Sequence, residues 1–85
     1  MSKLIPAAER IERARKLIQK ARAVPVPEGL GKHDLSYVAQ VKDLLRQARD
    51  MVKFIPMRAG VSEEMKAEVQ KIYDEVGQAN EEILH

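Results

Sequence analysis

The 85 residues carry fifteen Lys and Arg against thirteen Asp and Glu, a formal net charge of +2, with 45% hydrophobic residues and no cysteine. A chain this short builds one small domain, residues 1–85, and buries only roughly 60–65% of the surface its unfolded form exposes. The missing cysteines exclude disulfides, thiolate zinc sites and cysteine nucleophiles. The aromatic residues are Tyr37, Phe54 and Tyr73, too few to build base-stacking platforms.

Apolar residues recur at steps of three and four at Leu4, Ala7, Ile11, Ala14, Ile18 and Ala21. That spacing sets one side of a helix against a partner helix. The first helix is expected to start between Ser2 and Pro6, where a first-turn proline is tolerated, and to span about residues 4–23. The connector 24–33 stops it with Pro25, Pro27, Gly29 and Gly31. Large residues alternate with alanines along this seam, and the alanines permit a close helix–helix approach.

The second helix is expected over residues 35–55. Asp34 or Ser36 can cap its start, and Pro56 ends it. Its seam is Val38, Val41, Leu45, Ala48, Val52 and Ile55, and a second stripe of Tyr37, Leu44 and Met51 widens the apolar face. A wide face suits a helix that touches two neighbours. The third helix is expected over 62–84, started by Ser62 with Glu63 and Glu64 suiting the positive end of the helix dipole. Its seam is Met65, Val69, Ile72, Val76, Ala79 and Ile83. Gly77 inside it costs about 1 kcal/mol against alanine, which marks either a close approach between helices or a plain weak spot. Phe54, Ile55, Met57 and Met65 gather at the second turn, as a plug closing one end of the core or as an exposed Met-rich groove.

The fold class is therefore all-α: an antiparallel up-down-up three-helix bundle with coiled-coil-like seams. The short second connector turns helix three back on helix two. The longer first connector leaves open whether helix one folds onto its own chain or completes the bundle by dimerisation.

Charge is unevenly placed. Residues 1–23 hold seven basic side chains against two acidic, and residues 62–85 hold seven acidic against two basic. In an up-down-up bundle these two helices run parallel. Arg15 and Arg22 flank the first seam one heptad apart, while Glu68, Glu75 and Glu82 flank the third. That arrangement sets partner choice and orientation in coiled coils. A second reading takes Arg13, Lys16, Lys20 and Arg22 as a row tracking the phosphates of a nucleic acid, with salt-sensitive affinity.

Catalytic and metal chemistry have little to stand on. His33 precedes a helix start and His85 is the last residue. Glu82 and His85 have the Glu-x-x-His spacing of di-iron carboxylate bundles, in which two such pairs and two further glutamates converge, but only one copy occurs here. The stretch Glu28-Gly29-Leu30-Gly31-Lys32 lacks the remaining positions of a phosphate-binding loop. The serines are accounted for as helix starts. No enzyme, cofactor or small-molecule substrate is expected.

No apolar run approaches the ~20 residues that cross a bilayer, and residues 1–6 turn charged too early for a signal peptide. Helix one also lacks the aromatic anchors of a surface-bound amphipathic helix. The sequence thus reads as a cytoplasmic, non-enzymatic interaction or scaffolding module. Its partner is another helical protein or a second copy of itself, with nucleic acid as the alternative.

Overall fold

The computed structural model describes residues 6–84, so Ser2, Lys3, Leu4 and His85 lie outside the described residues. Three helices, α1 (Ala7–Ala23), α2 (Leu35–Val52) and α3 (Glu63–Leu84), pack against one another. Two short 3₁₀ turns, Gly31–His33 and Ile55–Met57, punctuate the connections.

Each start has a local cause. Pro6 stands immediately before α1, and its carbonyl accepts the Arg10 N–H at 3.0 Å. Asp34 caps α2: its Oδ1 accepts the Tyr37 N–H at 3.0 Å. Ser62 Oγ accepts the Met65 N–H at 3.1 Å and satisfies one of the free donors of the first turn of α3. Between α1 and α2, Gly29 and Gly31 take φ values of +84° and +57°, backbone that residues with a Cβ rarely adopt.

The end of α2 differs from the expected Ile55. The helix stops at Val52, and the chain turns through Lys53 and Phe54 into the 3₁₀ turn. Continuing the helix would press the Pro56 ring against the carbonyl of the residue four before it, which is Val52. The turn re-aims the side chains that follow. Ile55 is buried and Met65 is half-buried against the core, but Phe54 is 60% exposed and Met57 79% exposed. The plug is therefore half of what the cluster suggests: two residues close the core and two face outward. Lys53 Nζ sits 5.1 Å from the Phe54 ring centroid, a cation–π contact on the exposed side.

The direction of each helix follows from its side-chain partners. Arg10, near the start of α1, reaches the Met51 carbonyl near the end of α2, so these two helices are antiparallel. Arg15 meets Glu68 and Arg22 meets Glu82, so α1 and α3 run the same way. Helix α1 folds onto its own chain and packs most extensively on α2.

The core is the three seams. Ile11, Ala14, Ile18 and Ala21 of α1 meet Val41, Leu45, Ala48 and Val52 of α2 and Val69, Ile72 and Ala79 of α3. Tyr37 is buried while Val38 is half-buried, so at the start of α2 the second stripe carries more of the packing than the first. No polar or charged side chain is buried among the described residues. The Cα radius of gyration is 14.5 Å against about 12 Å for a compact chain of this length, so the molecule is elongated along the helices.

Gly77 is exposed, and a Cβ built there meets nothing within 4 Å. Within the chain it does not allow a close approach, which corrects one of its two expected meanings. Gly77→Ala is expected to stabilise the isolated chain by up to about 1 kcal/mol. Thermal melts at submicromolar dilution should show a midpoint a few degrees higher, and a lower one would mean the site is tighter than its surroundings imply.

Candidate interaction surface

Each pair of helices encloses a surface groove, and the charge pattern of the sequence sorts among the three. The α1–α3 groove, about 320 Å³, is lined by Ala8, Ile11 and Arg15 on one side and by Ser62, Glu64, Met65 and Glu68 on the other. Arg15 donates to Glu68, which also accepts from Lys71 at 3.3 Å, and Arg22 donates to Glu82 at 2.6 Å.

The structure thus brings together four of the five flanking residues. Arg15 and Arg22 are separated by roughly 10 Å of helical rise and Glu68 and Glu82 by roughly 21 Å. The pairs therefore cannot both sit level, and the long side chains close the difference. Glu75, midway between the two glutamates, is half-buried and has no ion-pair partner among the described residues.

Glu68 is held below its ordinary value of 4.5, first by the Arg15 hydrogen bond and then by that of Lys71. A carboxyl with a lowered pKa stabilises the fold above its ordinary pKa. That contribution fades as pH falls through the lowered value. Acidification from about pH 5 to pH 3 should therefore lower the melting temperature of the native chain more than that of Glu68→Gln. Equal acid sensitivity in the two proteins would show that the pair does not form in solution.

The α1–α2 groove, about 470 Å³, is lined by Arg13, Lys16, Leu17, Lys20, Gln47 and Met51. Three of the four residues of the phosphate-tracking row therefore share one groove, and Arg22 stands apart, committed to Glu82 on the α3 side. Arg13 is also paired with Glu9 at 3.2 Å and Lys16 with Glu12 at 3.6 Å, each one turn earlier on α1. The row is divided and partly neutralised.

Arg10 was not marked by the sequence pattern. It is half-buried, its Nη1 donates to the Met51 carbonyl at 3.3 Å and lies 3.7 Å from the Met51 sulfur, and its Nε is buried without a partner. A guanidinium there satisfies a carbonyl of the last turn of α2 and suits the negative end of its dipole.

The α2–α3 groove, about 280 Å³, is lined by Lys42, Leu45, Arg46 and Arg49 on one side and by Val76, Gly77 and Asn80 on the other. Arg46 pairs with Asp43 at 2.6 Å. Lys42 and Arg49 are exposed and have no ion-pair partner among the described residues.

Away from the grooves, His33 closes the 3₁₀ turn before α2 and is exposed. Glu82 is engaged by Arg22. Among the described residues, five large apolar side chains are exposed at the two ends of the bundle: Val26, Leu30 and Leu35 at one, Phe54 and Met57 at the other. No helix among the described residues is long and apolar enough to cross a membrane. The chain matches no family model, no curated protein and no solved structure.

Proposed function

We propose that this chain is a non-enzymatic helical module that recognises another helix, either of a partner protein or of a second copy, by packing it into a groove between its own helices. The observation that carries this reading is the division of charge. Four of the five flanking residues of α1 and α3 are spent within the chain, while Lys42 and Arg49 stand unpaired, among the described residues, along a groove whose floor includes Leu45 and Val76. Apolar floors with charged rims are how helices select helices. The reading places the chain in the cytoplasm and needs no cofactor, no membrane and no small-molecule substrate.

Absolute mass in solution, measured by light scattering up to millimolar chain at low salt, tests the self-assembling form of this proposal. A dimer supports it, and the mass of a single chain throughout removes it.

The second reading, a nucleic-acid accessory role, is favoured by Arg13, Lys16 and Lys20 sharing the α1–α2 groove. A gel shift at low salt tests it. Binding should be lost when the three are replaced by alanine. The logarithm of the affinity should fall with log salt at a slope of about −3 for three contacts to duplex phosphates. Absence of a shift in the native chain ends that reading.

A further inference from the structure

We propose that the α2–α3 groove is a self-complementary docking surface for a second copy of this chain, which specifies the partner in the helix-recognition reading above and rests on it. On α2, Lys42, Arg46 and Arg49 recur at steps of four and three and form a basic wall. On α3, Asp74, Gly77 and Glu81 recur at steps of three and four, so two carboxylates flank the glycine on one exposed face. One face of the molecule therefore has a positive edge and a negative edge with a gap between them.

A surface of that kind fits itself under one symmetry. A two-fold axis parallel to the helices lays the α2 of one copy over the α3 of the other, opposite charges together. An axis across the helices would lay like over like. The parallel axis preserves height along the bundle, so the residues level across the groove within one chain are level across the interface too. Helices α2 and α3 are antiparallel, and Arg46 and Gly77 line the same groove. Asp74 then lies opposite the partner's Arg49, and Glu81 opposite the partner's Lys42. The two contacts repeat on the other side of the axis, as an isologous interface requires.

Gly77 gains a purpose in this arrangement. Within the chain nothing occupies the space a Cβ would fill, and the residue only weakens its helix. Between copies, a missing side chain lets a helix lie against the α3 backbone under the partner's Arg46. The face is modest: about 27 Å of the shorter helix by about 20 Å across two helices. That is near 500 Å² per copy against the ~800 Å² of a standard interface. Dissociation in the micromolar range is expected, weakened further by molar salt, where screening acts within about 3 Å.

The test is a charge exchange read by sedimentation. Asp74→Lys with Glu81→Lys in one protein, and Lys42→Glu with Arg49→Glu in another, change only exposed side chains, so both should keep native circular dichroism. Each alone is expected to be monomeric where the native chain is dimeric, and an equimolar mixture is expected to restore the dimer mass. Gly77→Gln should weaken native dimerisation by about tenfold or more while leaving the monomer folded. A native dimer that survives both exchanges, or a mixture that stays monomeric, overturns this surface and leaves the self-association reading standing. A native chain that is monomeric at millimolar concentration overturns both.

Discussion

Ile72→Asp is expected to leave the chain without its cooperative fold at room temperature. Ile72 has no solvent exposure and is among the largest fully buried side chains. Truncating such a residue costs roughly 2–5 kcal/mol, and a buried carboxylate without a partner adds several more. A domain of 85 residues has about 4–13 kcal/mol of stability in all, so the substitution removes most or all of it. The neighbours one turn away on α3 include Glu68 and Glu75, which repel the new charge rather than neutralise it.

Leu45→Asp makes an informative contrast. Leu45 is 3% exposed, but it borders the groove that Lys42 and Arg49 line, three residues before it and four after. A carboxylate at 45 has cations within reach, and its cost should be smaller. Circular dichroism with urea titration checks both. A cooperative Ile72→Asp transition within about 1 kcal/mol of the native chain would remove Ile72 from the core, and a Leu45→Asp protein less stable than Ile72→Asp would reverse the electrostatic argument.

What could be read beforehand follows from which interactions have a local signature. Ile11, Ala14, Ile18 and Ala21 recur with the helical period, and the same rule finds Val41, Leu45, Ala48 and Val52. The contacts of Arg15 with Glu68 and of Arg22 with Glu82 were also within reach, because residues flanking parallel seams must meet. Their register was not: heptads on two helices do not say which turn lies level with which, and Glu75 is the residue left over. Arg10 carried no signal at all, since its partner is the backbone carbonyl of Met51, and a carbonyl has no letter in a sequence. The sequence leaves the aim of Phe54 and Met57 open, as core plug or exposed groove, for a related reason. Their outward aim comes from where Pro56 breaks the helix, and hydropathy does not report direction. Gly77 shows the same limit in reverse, because its letter announces a missing side chain and not whether the space is filled.

The buried alanines of α1 and α2 give the second large effect. Ala14, Ala21 and Ala48 have no solvent exposure, and they lie on the two helices that pack most extensively on each other. Small residues in such a seam let two backbones approach, and the closeness of α1 and α2 fixes how far Arg10 must reach to the Met51 carbonyl at 3.3 Å. Ala14→Leu is expected to cost about 1–3 kcal/mol through overpacking, although leucine is nearly as good a helix former as alanine. For a domain of this size each kcal/mol lowers the melting temperature by roughly 4–8 °C. Ala67→Leu is the control: Ala67 is exposed on α3, and the same added volume there should change stability by no more than about 0.5 kcal/mol. If Ala14→Leu is neutral or stabilising while Ala67→Leu is neutral, space remains beside Ala14 and the alanine seam is not close-packed. If both destabilise equally, the loss belongs to leucine in a helix rather than to the seam. Only a loss confined to Ala14 ties the stability of the bundle to the distance between α1 and α2.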